Sequence, residues 1–346
     1  MPTLSKAKKE TQEILKWGGI SLVIIFLFFM GIRFISFLKD SLSPPPPPQA
    51  AFGKLPAIPF PNQVKENISY SLDTLTGFLP NFSDRAKVYK INSEPPTLLG
   101  LDKTRQKVSS IGFKSDGVQI AEDTYQWVDQ GASLQRMITM NIFSSDFTLS
   151  SPYLVTQSLQ TFSTLDQKDR AAEVARSFLS SMSLFPQDVD ESKTKVALYS
   201  IAGSALIPTS KISNTKIVRV DFFQKNLDGL PIYYDRGISS TIDFLIGKES
   251  NELKVVDARF FHKNISQTSS TYAIKAASQA FSELQKGKAY IAYKPDNTVE
   301  FIIKKVFLGY YIGENQQDFL MPVVVFEGSN NFVAYVSAVK DEWISN

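Results

Sequence analysis

The sequence GGISLVIIFLFFMGIRFISFL, residues 18–38, is followed at positions 44–48 by five consecutive prolines. As a helix, such a stretch is roughly 32 Å long, which matches the hydrocarbon core of a bilayer. Its single charge, Arg33, stands near the far end, where a long side chain can reach the headgroups. Trp17 stands at the near end, where an interfacial aromatic is favoured. We therefore predict a membrane-spanning helix over residues 17–38, with Trp17 and Arg33 as its membrane anchors.

The residues before this helix indicate its orientation. Lysines stand at positions 6, 8, 9 and 16, and positive charge favours the cytoplasmic side. We predict a cytoplasmic stub over residues 1–16 and an extracytoplasmic C-terminal domain, which locates the protein in the cell (inner) membrane. A cleaved secretory signal is the alternative, although the apolar core of a signal is usually only about 7–15 residues long.

The proline run predicts a spacer after the membrane segment. Consecutive prolines adopt the extended polyproline II conformation, about 3.1 Å per residue, so five of them span roughly 16 Å. Further prolines at positions 56, 59 and 61 predict that the chain stays extended and lies against the domain or the membrane surface. We assign residues 39–65 as a proline-rich linker, which leaves no place for a coiled coil next to the membrane.

Composition excludes several classes of function. The net charge is only +3, which argues against a nucleic-acid-binding surface. The chain has no cysteine, so disulfides, thiol catalysis and cysteine-ligated zinc are excluded together. A single histidine excludes a paired-histidine metal site. We expect no cofactor and no metal.

Hydrophobic periodicity predicts an α+β fold after the linker. Apolar residues recur at helical spacing over 104–111, 167–184 and 274–285, and alternating strand-like runs separate these helices. Asp228-Gly229 predicts a hairpin, and residues 88–91 are predicted to pair with 68–75. We predict tandem helix-plus-antiparallel-sheet modules: an N-terminal module over 66–160 and a C-terminal region over 161–346, with a possible sub-boundary near 270.

Two motifs in the C-terminal region resemble a known family. The segments VRVDFFQ at 218–224 and DGLPI at 228–232 are similar to the "F-x-Q … G-x-P-I" hairpin of the YycH/YycI regulatory ectodomains. The segments FLGYY at 307–311, LMPVVVF at 320–326 and AYVSAV at 334–339 are similar to that family's closing strands. The resemblance covers residues 165–340 and departs from the family at Val324, where a tryptophan is usual. It implies PepSY-like modules and non-catalytic modulation of a membrane sensor kinase.

Candidates for chemistry are few. His262 follows a predicted strand, and no G-x-S-x-G motif supplies a serine for it, so a strand-end histidine is favoured over a catalytic base. Asp188, Asp190 and Glu191 form an acidic group that lacks the oxygen spacing and glycine of a calcium loop, and we interpret it as a solvated loop. Ser-x-x-Lys recurs five times, as chance predicts.

Paired tyrosines are the remaining candidates. Tyr233-Tyr234 and Tyr310-Tyr311 lie on predicted strands, where neighbours point to opposite faces. We expect one tyrosine of each pair to be core and the other to be exposed as a candidate interface residue. Packing on a sheet face is the plainer alternative for all four.

Together these observations favour a single-pass, non-catalytic extracytoplasmic module that binds a protein partner in the membrane or envelope and has no nucleic-acid partner. Two alternatives remain from the sequence: a bitopic scaffold of a pilus or secretion assembly, and an envelope hydrolase with an unusual site. The sequence predicts neither the oligomeric state nor the identity of the partner.

Overall fold

A computed structural model of the protein describes residues 17, 26–31, 33, 48–63, 66–93, 95–129 and 134–345. The chain divides into two compact units, Met1–Pro47 and Pro48–Asn346. In the first unit, the described residues are helical. The predicted stub, most of the predicted membrane segment and the first part of the linker lie outside the described residues. Within the part that is described, no helix is long and apolar enough to cross a membrane, so the membrane-spanning helix stays a prediction.

The second unit is α+β, as the periodicity predicted, with most of its elements being strands. Its described helices are α1 (Gly100–Ser110), α2 (Leu165–Ser181) and α3 (Ala277–Gln285). The strands are β1 (Ser69–Leu72), β2 (Arg85–Asn92), β3 (Val118–Ala121), β4 (Thr124–Asp129), β5 (Arg136–Asn141), β6 (Phe147–Ser150), β7 (Leu159–Gln160), β8 (Lys195–Ala202), β9 (Ala205–Pro208), β10 (Ile217–Asp221), β11 (Ile232–Tyr234), β12 (Ile242–Glu249), β13 (Glu252–Phe260), β14 (Asn264–Ala273), β15 (Tyr290–Tyr293), β16 (Glu300–Ile312), β17 (Phe319–Gly328) and β18 (Val333–Ser337).

These strands form two sheets. The ten-stranded sheet has the order β3-β4-β5-β6-β13-β12-β10-β8-β9, with β7 paired to β12. The eight-stranded sheet has the order β1-β16-β17-β18-β15; in addition, β11 pairs with β16, and β2 pairs with both β14 and β17. Most pairings are antiparallel, but β1 and β11 both run parallel to β16.

Each sheet buries one helix face. On α2, the side chains of Ala171, Ala175 and Leu179 are fully buried and belong to the same apolar cluster as Val218, Phe244 and Ala258 of the ten-stranded sheet. On α3, Ala277, Ala280 and Leu284 belong to a cluster with residues of β16, β17 and β18. The three- and four-residue spacing that predicted these helices is the spacing of their buried positions.

Two local pairings predicted from the sequence are wrong. Strand β2 does not pair with β1, because β1 lies parallel to β16 and β2 pairs with β14. Asp228 and Gly229 do form a tight turn with positive φ, 51° and 76°, but the flanking strands β10 and β11 enter different sheets. Both errors have one cause: turn residues define a local reversal, whereas strand partners distant in sequence are selected by packing.

The predicted module boundaries also need correction. A boundary near 160 falls within the ten-stranded sheet, since β6 pairs with β13 and β7 pairs with β12. The sub-boundary near 270 falls inside β14. The chain passes between the sheets more than once, so neither sheet is made from one continuous stretch of sequence.

The second part of the predicted linker, residues 48–63, is an integral part of the second unit. The backbone N–H of Ala50 donates to the carbonyl of Thr271 at 3.0 Å. Leu55 is fully buried and forms a parallel bridge with Ile344. The ring of Phe60 packs on Tyr290 and Tyr311. This segment is extended and lies against the domain, as its prolines predicted.

Candidate functional site: a polar cleft between the two sheets

Three of the four candidate interface tyrosines are buried. Tyr234, Tyr310 and Tyr311 expose 1% of their surface or less, and Tyr233 is half-buried. The expectation of one exposed tyrosine in each pair is therefore wrong for Tyr310 and Tyr311. The physical reason is that β11 lies beside β16, with Tyr233 opposite Tyr311, and both faces of the sheet are covered at this point.

The hydroxyl groups of these tyrosines are bound within the domain. Tyr233 donates to Glu327 at 2.8 Å and Tyr310 to the carbonyl of Lys87 at 3.1 Å. Tyr311 donates to Asp235, and Tyr234 accepts from the backbone N–H of Gln224 at 3.0 Å. Burial raises the pKa of all four hydroxyls. They are structural residues of the sheet.

The proposed membrane anchors Trp17 and Arg33 belong to the first unit. Both are helical, and the side chain of Trp17 is 67% exposed. Exposure of an indole is compatible with an interfacial position, and their role as anchors stays a prediction.

A large concave feature of the second unit is a cleft of about 1000 Å³. One wall comes from the eight-stranded sheet: the end of β2, the start of β14 and the loop after β16. The other wall comes from the ten-stranded sheet and its helices: Lys107 on α1, the turn between β5 and β6, and residues 183–188 after α2. The floor is the connection between β13 and β14, which carries the only histidine of the chain.

His262 lies on that floor and contacts an acidic residue of the opposite loop. Its Nε2 is 2.9 Å from Oδ1 of Asp188, and its ring stacks on Phe260 with 6.2 Å between centroids. The Gln224 side chain donates through Nε2 to Oδ2 of Asp188 at 2.7 Å and to the carbonyl of Lys263 at 3.2 Å. Asp188, His262 and Gln224 therefore tie three chain segments together at the base of the cleft.

A second ion pair lies beside the first. Lys263 donates to Oδ2 of Asp146 at 3.1 Å, and both side chains are largely buried, at 9% and 15% exposure. Lys107 on α1 donates to the hydroxyl of Ser145 at 2.7 Å. Within the described residues, Oδ1 of Asp146 and Oε1 of Gln224 are buried without a hydrogen bond. The cluster thus has two acceptor oxygens still unused.

The two carboxylates of the cluster differ in acidity. Burial raises the pKa of Asp188, but the hydrogen bonds from His262 and Gln224 outweigh it, and the net effect lowers that pKa. For Asp146, burial is the larger effect and raises the pKa in spite of Lys263. The difference follows mainly from burial, because the side chain of Asp146 is 15% exposed and that of Asp188 is 38% exposed.

A group of ion pairs lies outside the cleft, where the two sheets also meet. Arg259 on β13 contacts Asp243 on β12 at 2.5 Å and also binds Glu314, in the loop after β16. Asp235 accepts from the backbone N–H of Glu314 at 2.7 Å. Arg219 adds a further pair with Asp221 at 3.0 Å. Of these interactions, the contact between Arg259 and Glu314 connects the two sheets, and the others hold its neighbouring charges in place.

The acidic group predicted as a solvated loop has three separate roles. Asp188 binds His262, Asp190 caps the short 3-10 turn Glu191–Lys193, and Glu191 pairs with Arg176 at 3.0 Å. In the described part of the chain, no three acidic or histidine side chains converge as metal ligands.

Sequence reasoning found His262 and Asp188 but did not bring them together, and it missed Asp146 and Lys263. The available signals were weak: Gln224 closes a motif interpreted as structural, and Lys263 merely follows the histidine. The contacts that form the cluster join positions 36–117 residues apart. Chemically, the cluster offers carboxylate, amide and imidazole groups for hydrogen bonding.

Comparison with known proteins adds little to this site. No family model and no curated protein matches the sequence. An uncharacterized protein from Eubacterium rectale ATCC 33656 superposes with 14% identity and a TM-score of 0.33, over 75% of this chain and 84% of that chain. The YpeB C-terminal domain of Bacillus megaterium superposes with 11% identity and a TM-score of 0.32, over 72% and 95%. At such low scores these likenesses carry no argument about function.

Proposed function

We propose that this chain is a membrane-anchored, non-catalytic extracytoplasmic module that binds a partner in the cleft between its two sheets. The anchor is the apolar segment 17–38, and the module begins at the last residue of the proline run, Pro48. The resemblance to YycH/YycI ectodomains, noted in the sequence, supports a regulatory partner such as a membrane sensor.

The observation that carries the non-catalytic part is the environment of His262. Its Nε2 contacts Asp188, and within the described residues no hydroxyl or amine nucleophile hydrogen-bonds to the imidazole. Nucleophilic catalysis by a histidine needs such a partner. Lys263, the nearest amine in sequence, is engaged by Asp146.

The cleft itself suits binding. Its volume is at the upper end of the range of about 300–1,000 Å³ that is usual for ligand sites. Phe143 and Phe185 supply apolar surface, while Asn141 and Gln317 supply polar groups. A segment of a partner protein has both the apolar and the donor groups that this lining complements.

The absence of cysteine makes the topology directly testable. Ser5→Cys and Ser144→Cys each create a single thiol, one in the predicted stub and one on the exposed turn before β6. We expect a membrane-impermeant maleimide to label position 144 in intact spheroplasts and position 5 only after permeabilisation. The opposite pattern, or equal labelling at both positions, would contradict the proposed orientation.

Photo-crosslinking tests the binding site. A photoreactive phenylalanine analogue replaces Phe143 or Phe185 in the cleft, and Ile207 on the edge strand β9 serves as the control. We expect one discrete protein adduct from the cleft positions in native membranes and none from position 207. Equal adducts at all three positions would argue against the cleft as the binding site.

A further inference from the structure

A second depression of the domain has an excess of positive charge. It is about 630 Å³ in volume and lies between α3 with the turn that follows it and the segment 340–342. Its charged lining consists of Lys275, Lys286, Lys288, Lys340, Glu283, Asp341 and Glu342.

Part of this charge is neutralised internally. Lys275 is only 7% exposed and lies 2.9 Å from Glu283 and 2.8 Å from Asp341. Among the described residues, the exposed Lys286, Lys288 and Lys340 form no salt bridge, and Glu342 is the only remaining carboxylate of the lining. The lining as a whole has four cations and three anions, a net charge of +1, and three of its lysines form no salt bridge among the described residues.

Helix stability explains only part of this arrangement. Lysines after the C-terminus of a helix interact favourably with its dipole, which accounts for Lys286 and Lys288 beside α3. Lys340 comes from a different segment, after β18. The dipole of α3 therefore does not explain why a lysine stands at this position. Its convergence on the same depression indicates a binding surface for negative charge.

The depression lies beside the point where the chain enters the domain. The backbone N–H of Lys340 donates to the carbonyl of Ala273 at 3.1 Å, and that of Ala50 donates to the carbonyl of Thr271, two residues away. The predicted membrane segment ends at residue 38, and residues 39–47 can span at most roughly 30 Å even when extended as polyproline II. The lysines thus lie beside the point at which the second unit connects to the predicted membrane segment.

We propose that Lys286, Lys288 and Lys340 bind the phosphate groups of anionic lipids in the bilayer that anchors the chain, and so orient the domain on the membrane. This inference rests on the membrane anchoring of the proposed function. An ammonium group serves as a point charge for phosphate, and each lysine near an anionic surface contributes about fivefold to the binding equilibrium. Such binding would give the cleft a fixed orientation relative to the membrane surface.

The test uses the full chain in nanodiscs. Ser278→Cys, at an exposed position of the depression, carries a donor dye, and the lipid headgroups carry the acceptor; Ile207→Cys on β9 is the matched control. We expect higher energy transfer from position 278 in phosphatidylglycerol discs than in phosphatidylcholine discs, with a loss at high salt. Energy transfer separates molecules whose dye lies close to the headgroups from those whose dye lies far from them. Replacing Lys286, Lys288 and Lys340 by Gln should lower the ratio of the first population to the second at least about fivefold, in phosphatidylglycerol discs only.

Each other outcome decides against the inference. Equal transfer in both lipids, or no effect of the triple substitution, would overturn lipid binding while leaving the anchor intact. Saturable binding of inorganic phosphate without a response to phosphatidylglycerol would identify a free-phosphate site instead. A chain that enters neither disc would overturn both this inference and the membrane anchoring, a failure that the maleimide labelling detects independently.

Discussion

Phe60 stacks on Tyr290 almost in parallel, with 5.0 Å between the ring centroids and 4° between the planes. The same ring meets Tyr311 edge-on at 4.7 Å. Since Phe60 belongs to the proline-rich segment that precedes β1, these contacts fix that segment on the eight-stranded sheet. The domain therefore starts well before its first strand.

The first prediction follows from this stacking. Phe60→Ala removes a half-buried ring and its aromatic contacts, and we expect the free energy of unfolding to fall by about 1–3 kcal/mol. Urea unfolding of the full chain, followed by tryptophan fluorescence, measures the change. Phe78→Ala is the control, because Phe78 is 78% exposed, and its effect should stay within about 0.5 kcal/mol. Equal effects of the two substitutions would mean that the segment is not part of the folded unit.

The proline-rich segment also illustrates how far the sequence alone reaches. Prolines at 56, 59 and 61 predict an extended chain, because the proline ring excludes helix, and that prediction agrees with the structure. Nothing local predicts that Leu55 is buried against the C-terminal Ile344, since the two positions are far apart in sequence. The same holds for the cleft: His262 and Asp188 each attract notice, but only the folded chain brings them to 2.9 Å.

Parallel pairing is the second limit. The three helices of the second unit agree with the prediction because the buried face of a helix repeats within its own sequence. Strand β16 instead has β1 and β11 as parallel neighbours, which no hairpin signal can indicate. The tyrosine pairs were misjudged for this reason, because their burial depends on β11 arriving beside β16.

The second prediction concerns the charges at the junction between the sheets. Arg259 is 9% and Asp243 4% exposed, and burial raises the pKa of Asp243 in spite of Arg219 and Arg259. Arg259→Met removes one of the two positive charges that offset the burial of the Asp243 carboxylate. We expect the free energy of unfolding to fall by about 3 kcal/mol. The double variant Arg259→Met/Asp243→Asn should regain part of that loss, because it removes the buried charge as well.

The control for this prediction is Arg105→Met. Arg105 pairs with Asp102 at 3.0 Å on the exposed face of α1, where an ion pair contributes no more than about 0.5 kcal/mol. These three variants and Asp243→Asn alone are compared by urea unfolding. A double variant whose loss equals the sum of its single losses would show that Arg259 and Asp243 are not coupled.

The third prediction is a pH dependence at Asp257. Burial and then the neighbouring Asp243 carboxylate raise the pKa of Asp257 from 3.8 to about 6. The folded state therefore holds this proton more tightly than the unfolded state does, and the corresponding stability is present below pH 3.8 and is lost as the pH rises to about 6. Above that window the ionised group costs at most about 3 kcal/mol.

Asp257→Asn removes this cost. We expect the variant to gain stability over the natural protein progressively between about pH 4 and pH 6, with a constant difference above that range. Unfolding free energies measured across the pH range give the profile, and Asp116→Asn, at an exposed position, controls for the loss of one negative charge. A difference independent of pH would refute the raised pKa.

The last prediction concerns the pair at the base of the cleft. Burial alone would raise the pKa of Asp188, but the His262 and Gln224 hydrogen bonds bring it below its usual value of 3.8. The stability from this carboxylate is therefore present above pH 3.8 and is lost as the pH falls through the lowered pKa. Because its side chain is 38% exposed, solvent screening limits the effect of Asp188→Asn at neutral pH to about 1 kcal/mol. That effect should shrink below about pH 4.

A double-variant cycle separates the pair from its surroundings. Asp188→Asn and His262→Gln each break the 2.9 Å contact, so the double variant should lose less stability than the two single variants together. The same variants connect this contact to the binding site, because the residues that hold the floor of the cleft also position its walls. We expect adducts from the photoreactive positions 143 and 185 to weaken in Asp188→Asn. They should persist in Asp190→Asn, which alters the cap of the neighbouring turn and an ion pair with Lys193. Additive losses together with unchanged adducts would show that the pair supports neither the fold nor the cleft.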